Sequence, residues 1–347
     1  MPLPVTFRLP DLSSIFSIFP DLGINSHYEC TYPESREWIA QYHTGVYGPK
    51  MRDFMERGKI ELLGAYTYPY ASKERLRFVM DLHNVSWLFD ESSDVKTGQQ
   101  AGVTAVVFRR ALIDPEFNDG SWLCHMLKDF RQRHLDNVMS HAFVEMFIRD
   151  FIGYADGMSA EACYRDLNKV LDIAGYVKLR REAGAVRLAL HSVEYCLEKE
   201  LPSYVREDPA FVIAYNGALD LGYIVNDIHS YNMEQSKGHG HHAANIVTVF
   251  MEAQNIGLQA AMDYAGGFCH GLVLQILEAK ELLAARSDPV FSNDAVKVIE
   301  GCINFFKGQD IWDFESERFF GKSKDAVRKT KVVNLRALFE DSVNLNE

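Results

Sequence analysis

The sequence lacks the features that mark secreted, membrane-spanning and nucleic-acid-binding proteins. Its six cysteines are scattered, with no C-x-x-C pair. The first residues lack the basic region and the following apolar region of a secretory signal peptide. No unbroken apolar run reaches the roughly 18 residues that a membrane helix requires. Lysine and arginine form no block, and the formal net charge is −12. We therefore expect a reduced, cytoplasmic protein without a disulfide framework, a membrane anchor or a nucleic-acid partner.

Proline is absent between Glu116 and Leu201, and β-type alternation is scarce. No Gly-rich turn follows a strand-like segment, which argues against a nucleotide-binding α/β fold, and no repeat of 20–50 residues is visible. Apolar residues recur instead with a helical period, as expected for a helical bundle. The pattern predicts an all-α, single domain over residues 1–347. The helical segments are 122–154, 159–176, 186–197, 243–284 and 295–306.

Five of the eleven prolines fall within residues 1–33. Because proline interrupts regular structure, this part is predicted to be an N-terminal arm with short turns. A helical period follows over 34–57, with an interruption near Gly48-Pro49. Ser72 is placed to cap the next helix.

One long apolar-periodic segment, 210–235, carries a polar face near its end. It follows Asp208-Pro209, which places proline at the first helical position. Asn226, Ser230 and Glu234 have i, i+4, i+8 spacing, so their side chains share one helical face. An amide oxygen, a hydroxyl and a carboxylate together suit a hard cation such as Mg²⁺. Taken alone, the same pattern also fits a polar face that meets water.

A second acidic group lies far upstream, at the end of the apolar segment Leu76 to Phe89. Asp90 and Asp94 have i, i+4 spacing, and Glu91 stands between them. Neighbouring carboxylates on a helix repel each other unless a cation or water separates them. An exposed acidic helix end is the alternative interpretation.

Together the two groups resemble the metal-binding motifs of class I terpene synthases, an aspartate-rich D-[DE]-x-x-D and a later N-D-x-x-S-x-x-[KR]-E. Their flanks, Met80-Asp81-Leu82-His83-Asn84 and Glu234-Gln235-Ser236-Lys237-Gly238, resemble the fungal sesquiterpene cyclases. The resemblance runs from about Phe7 to Arg318, which is nearly the whole chain.

The resemblance implies three Mg²⁺ ions and a diphosphate held by two arginines, whose planar groups grip phosphate oxygens in pairs. It implies diphosphate contacts for Arg180 and Arg318, and a helix break at Gly184. Asp227 is expected to bond a neighbouring arginine. The implied metal ligands are Asp90, Glu91, Asp94, Asn226, Ser230 and Glu234.

Two positions depart from the family pattern. Met233 stands where the family has Lys or Arg, so either Lys237, one turn further on, supplies that charge or the site has one contact fewer. Phe319 stands where the family has a tyrosine that bonds toward the first motif. Trp312 matches a pocket aromatic. Further possible cavity liners are Trp87, Phe305, Phe306, Tyr215 and Tyr66.

The run His239-Gly240-His241-His242 suggests zinc at first sight. No cysteine or glutamate accompanies it at a usual zinc spacing, so a solvent-exposed loop is the preferred interpretation.

The predicted function is that of a sesquiterpene synthase, in which Mg²⁺-dependent ionisation of farnesyl diphosphate precedes cyclisation and diphosphate is released. The alternatives are a prenyltransferase-like enzyme and a helical protein that binds isoprenoid diphosphates without cyclase activity. A monomer or loose homodimer is expected. Neither the product nor the first ring closure, C1–C10 or C1–C11, follows from the sequence.

Overall fold

The computed structural model describes residues 5–43, 53, 56–136, 140–238 and 241–337. Within this part the chain forms fifteen α-helices and one two-stranded antiparallel sheet, in which β1 (Thr6–Arg8) pairs with β2 (Val332–Asn334). The predicted all-α class is therefore confirmed. The helices are α1 Leu12–Ile15, α2 Tyr28–His43, α3 Ile60–Thr67, α4 Lys73–Asp94, α5 Gly98–Ile113, α6 Trp122–His134, α7 His141–Asp166, α8 Ile173–Ala183, α9 Val186–Leu197, α10 Ser203–Arg206, α11 Pro209–Lys237, α12 Ile246–Gln254, α13 Leu258–Ala284, α14 Val296–Glu315 and α15 Lys324–Thr330.

One continuous apolar core runs through the bundle. The long helix α11 lies at its centre and packs along both α13 and α14, while α4 packs against α2 and α3. Most of α11 is buried on all sides, including the polar residues near its C-terminal end. Because polar groups are costly to bury without partners, their position inside the bundle points to a functional site.

Side-chain caps begin the two helices that carry the acidic groups. The Ser72 hydroxyl accepts a hydrogen bond from the Arg75 backbone N–H at 3.5 Å, as predicted for the start of α4. Asp208 accepts from the Ala210 N–H at 2.9 Å, and Pro209 occupies the first turn of α11. These caps satisfy N–H groups that have no partner within the helix, so both starts are fixed locally.

The helix boundaries in the middle of the chain differ from the predicted ones. The segment 122–154 is divided, since α6 ends at His134 and α7 begins at His141. Ser140 caps α7 by accepting from the Phe143 N–H at 3.1 Å. Neither Gly nor Pro marks this division, so the apolar period alone did not reveal it.

The N-terminal arm is shorter than the predicted 1–33. The helix α2 begins at Tyr28 and contains Pro33. Proline is tolerated near a helix start because the first N–H groups lack intrahelical partners, and here it lies only slightly deeper. Much of the predicted helix over 34–57 lies outside the described residues. No helix in the described residues combines the length and apolar character needed to cross a bilayer.

Candidate active site

A cavity opens between α4, α8, α9, α11 and α14, with about 1190 Å³ of empty space including its open mouth. Charged side chains surround the mouth, among them Asp90, Arg180 and Glu234. Deeper in the cavity the walls are apolar, with Leu63, Val186 and other carbon-rich side chains. Eleven of the twelve predicted site residues line this cavity. They are Asp90, Asp94, Arg180, Gly184, Asn226, Ser230, Glu234, Lys237, Trp312, Arg318 and Phe319.

The three oxygen donors of α11 face the cavity together. Asn226, Ser230 and Glu234 all line it, as their i, i+4, i+8 spacing predicts. Glu234 is held from outside the helix by Asn245, whose Nδ2 donates to Glu234 Oε2 at 2.9 Å. Burial and the nearby Asp227 charge raise the pKa of Glu234 to about 7. The site therefore favours a cation beside this carboxylate.

Asp227 lies on another side of α11 and anchors the arginine opposite the motif. Arg180 Nη2 donates to Asp227 Oδ1 at 2.8 Å and to Asn226 Oδ1 at 3.3 Å. Tyr176 donates its hydroxyl to the same carboxylate, and the Ile246 N–H donates at 3.0 Å. Burial alone would lower the pKa of Arg180, but Asp227 raises it well above the ordinary value. The guanidinium is thus fixed at the cavity wall with its charge intact.

The first acidic group is electrostatically crowded. Burial and the neighbouring Asp94 and Glu91 raise the pKa of Asp90 well above its ordinary value. The negative charge of Asp94 is compensated by Lys237, whose Nζ lies 2.5 Å from Asp94 Oδ2. Burial would raise the pKa of Asp94, but the Lys237 charge lowers it. Lys237 therefore reaches the site despite Met233, and its charge lies on the first motif.

Glu91 differs from its predicted role as a cavity-facing metal ligand. It does not line the cavity, and its side chain is buried. Arg318 Nη2 donates to Glu91 Oε1 at 2.6 Å. Helical geometry explains the difference, because Glu91 follows Asp90 by one residue and so points about 100° away. Of the three predicted ligands of the first motif, Asp90 and Asp94 therefore line the cavity and Glu91 does not.

Arg318 and Phe319 both pack against aromatic side chains beside the first motif. Arg318 itself bonds to the first motif through Glu91, and its guanidinium lies 3.7 Å from the Trp87 ring centroid. The Phe319 ring packs edge-on against Trp312, with centroids 6.1 Å apart. Cation–π contact and ion pairing thus hold Arg318 at the mouth of the cavity.

The predicted helix break at Gly184 is present. α8 ends at Ala183, Ala185 has a positive φ of 55°, and α9 begins at Val186. A Cβ on Gly184 would lie 2.9 Å from the Arg180 carbonyl oxygen. Glycine is therefore required for this close turn, which exposes backbone to the cavity.

Aromatic positions divide into cavity walls and plain core. Trp312 is fully buried, and its Nε1 donates to the Gly58 and Lys59 carbonyls at 3.0 and 2.9 Å. Trp87 and Phe305 also line the cavity. Three other candidates, Phe306, Tyr215 and Tyr66, are not among the lining residues.

Several cavity residues were missed by the sequence argument. Glu161 and Arg165 line the mouth from α7, and Glu161 Oε2 accepts from Arg180 at 3.5 Å. His241 also lines the cavity, with Nδ1 4.0 Å from Asp94 Oδ1, so the solvent-loop interpretation is wrong for this residue. His239 and Gly240 lie outside the described residues. Asn245, which bonds to Glu234, was also missed, although an asparagine before an apolar run is a helix-cap signal and it caps α12.

The donor set fits a hard cation better than a soft one. Within the described ranges, no three His, Cys, Asp or Glu side chains are placed to hold a metal by themselves. Of the three α11 donors that line the cavity, Glu234 supplies a carboxylate, and Asn226 and Ser230 supply an amide and a hydroxyl oxygen. The raised pKa values of Asp90 and Glu234 show excess buried negative charge, which a divalent cation would neutralise.

Comparison with known proteins also indicates a metal-binding site. The family model described as "Terpene synthase family 2, C-terminal metal binding" matches residues 81–274, which include both acidic motifs. A sesquiterpene synthase of Sphaerobolus stellatus is 46% identical over 345 residues, covering 99% of this chain and 98% of the relative. A sesquiterpene synthase of Galerina marginata is 46% identical over 342 residues, covering 99% and 98%.

The solved structures extend the likeness to the fold. Hedycaryol synthase in complex with HEPES superposes with a TM-score of 0.75 at 23% identity, covering 88% of this chain and 98% of that one. At this identity the match supports the fold alone. The family match covers more than half of the chain, and the two fungal relatives cover nearly all of it. The chain therefore belongs to the terpene synthase family and, within it, to the fungal sesquiterpene synthases.

Proposed function

We propose that this protein ionises farnesyl diphosphate in a Mg²⁺-dependent reaction and cyclises the resulting cation to a sesquiterpene, with release of diphosphate. One observation carries the proposal: both acidic motifs meet at the charged mouth of a cavity whose interior is apolar. The continuous core supports a single catalytic domain over 1–347. We expect a monomer or loose homodimer.

The oxygen donors that would hold the metal belong to two helices. Asp90 and Asp94 on α4, and Asn226, Ser230 and Glu234 on α11, are the expected ligands for three Mg²⁺ ions. Bound Mg²⁺ would supply electrostatic stabilisation of the leaving diphosphate. Glu91 is assigned instead to holding Arg318.

Three cations of the chain complete the diphosphate site. Arg180 is held by Asp227, Arg318 by Glu91 and Lys237 by Asp94. Each can shift part of its hydrogen bonding to an incoming phosphate, and arginine can do so with two N–H groups at once. The positions of these groups before binding lower the cost of ordering them around the leaving group.

The deeper cavity suits the hydrocarbon part of the substrate. Leu63, Val186, Phe305 and Trp312 present apolar or aromatic surface and donate no hydrogen bond into the cavity. Such walls exclude water from a cation, and aromatic faces stabilise it by roughly 0.5–2 kcal/mol per contact. The shape of this part of the cavity would set the product.

The proposal is tested by incubating the purified protein with farnesyl diphosphate, with and without Mg²⁺. Diphosphate release and extracted hydrocarbons are measured in parallel, the latter by gas chromatography–mass spectrometry. A cyclic C15 product that disappears with chelator is expected. Binding without diphosphate release would favour the non-catalytic alternative, and a longer linear diphosphate would favour the prenyltransferase alternative.

A further inference from the structure

His83 lies in the apolar part of the cavity and has no hydrogen-bond partner. Only 6% of the residue is exposed, and it lines the cavity. Neither Nδ1 nor Nε2 bonds to a group in the described part of the chain. The nearest rings are those of Tyr68 and Phe305, with centroids 5.9 and 6.4 Å away. The Tyr68 hydroxyl is already used, since it donates to the Ala189 carbonyl at 2.7 Å.

The other buried histidines in the described residues are bonded. His191 Nδ1 lies 3.0 Å from Asp150 Oδ2, and His229 Nδ1 lies 2.6 Å from Asp313 Oδ2. An unmade bond at a buried polar atom costs about 1–3 kcal/mol. A residue that carries this cost at two atoms, inside an active-site cavity, is best explained by a role in the reaction.

The position of His83 relative to the metal motif gives its depth. It precedes Asp90 by seven residues on α4, so the two side chains share a helical face and lie roughly 10 Å apart along the axis. Trp87 and Ser86 line the cavity between them. His83 therefore lies beside the hydrocarbon chain of a substrate whose diphosphate is held at the mouth, and because protein covers both ring nitrogens, the ring must turn to bring one of them to the substrate.

Burial also fixes the protonation state. It lowers the pKa of His83 to about 3, with no charged neighbour contributing. The imidazole is therefore neutral near pH 7, and one ring nitrogen keeps a free lone pair. A neutral ring does not repel a carbocation. A C–H bond next to a cationic carbon is so acidic that even a weak base can take its proton.

We propose that His83 is the proton acceptor in the step that ends the cyclisation. The C–H bond next to the cationic carbon breaks, its electron pair forms the new C=C bond, and the proton binds the imidazole nitrogen. The imidazolium then gives this proton to the diphosphate or to water when the product leaves. This assignment rests on the proposed function and adds a base at the cavity end opposite the diphosphate.

Two variants test the role of the lone pair. His83→Phe keeps a flat ring in the same space and removes the nitrogen atoms. His83→Ala leaves a space that added imidazole, or pyrrole of the same shape without a basic lone pair, can enter. Phe305→Ala is the matched control, since it opens the same part of the cavity without removing a base.

We expect both His83 variants to release diphosphate within about tenfold of the wild-type rate, because ionisation occurs at the mouth. Their main product should change, and imidazole, but not pyrrole, should restore the wild-type product in His83→Ala. Imidazole should not restore it in Phe305→Ala.

The wild-type product from His83→Phe, equal restoration by pyrrole, or no restoration by imidazole would overturn the assignment. Absence of diphosphate release from the wild-type protein would instead overturn the proposed function, so the two failures are distinguishable.

Discussion

The mouth and the interior of the cavity treat polar groups in opposite ways. At the mouth, carboxylates and cations are paired within short distances, as in Arg318–Glu91 at 2.6 Å and Lys237–Asp94 at 2.5 Å. In the interior, one imidazole stands among apolar walls with neither nitrogen bonded. The charged groups at the mouth can form new ion pairs and hydrogen bonds with a ligand, whereas the interior has few groups that could react with a cation.

The difference explains how one helix serves both regions. α4 carries His83 in the interior and Asp90 at the mouth, two turns apart. The C-terminal end of the helix brings excess negative charge to the cavity, whereas the side chains that its middle contributes to the cavity wall carry almost none. Stability and function are therefore expected to respond differently to substitutions at the two ends of the cavity.

The largest effect is expected at the mouth. Glu234→Ala removes the carboxylate among the three oxygen donors of α11 that face the cavity, so we expect turnover to fall at least about 10³-fold, or roughly 4 kcal/mol in the barrier. The helical circular dichroism should stay unchanged. Glu252→Gln, at an exposed position on α12, is the control and should keep full activity. Normal turnover by Glu234→Ala would contradict the metal assignment.

The next effect is expected in the interior, on stability. Trp312→Leu removes a fully buried ring and its two hydrogen bonds to the Gly58 and Lys59 carbonyls. We expect the free energy of unfolding to fall by about 3 kcal/mol, which urea denaturation can measure. Trp122→Leu, at a half-buried position on α6, should cost clearly less. Equal losses would mean that Trp312 is not a main support of the cavity wall.

The smallest expected effect is a gain in stability rather than a loss. Asp90→Asn removes a carboxyl group whose ionised form is disfavoured by desolvation and by the neighbouring Asp94 and Glu91, so the metal-free protein should gain about 1 kcal/mol. The folded-state pKa of Asp90 is raised, so the folded protein keeps a proton that the unfolded chain loses as pH rises above about 4. The gain should therefore be larger at pH 8 than at pH 5.

Thermal melts with chelator measure this gain, and Asp325→Asn at an exposed position is the control. Added Mg²⁺ should stabilise the wild type more than Asp90→Asn. A lower melting temperature for Asp90→Asn in chelator would show that the carboxylate is stabilising without metal.

The fold class and the two polar motifs could be predicted because they depend on local spacing. Helical period identified α11, and i, i+4, i+8 spacing placed Asn226, Ser230 and Glu234 on one face. The same rule, applied strictly, would have separated Glu91 from Asp90. Residues whose place depends on another helix could not be predicted, and Glu161 on α7 is the clearest example.

The importance of His83 could not be predicted for the same reason. In the sequence His83 is distinguished only as part of the segment before the first motif, and its lack of partners becomes visible only when α3, α4 and α14 surround it. Likewise the division of 122–154 into α6 and α7 depends on a serine cap, which is common in sequences and therefore a weak signal.

The small sheet has a consequence for how the protein is made. β1, near the start of the described chain, has β2 near its far end as its only strand partner in the described residues. During synthesis β1 must wait for nearly all of the helices before it can pair with β2, whereas Asn25, further along the arm, can bond early to the Tyr68 and Ala71 carbonyls. The late, long-range closure is a slow step by its nature, and until it occurs β1 is available to chaperones or to a second nascent chain.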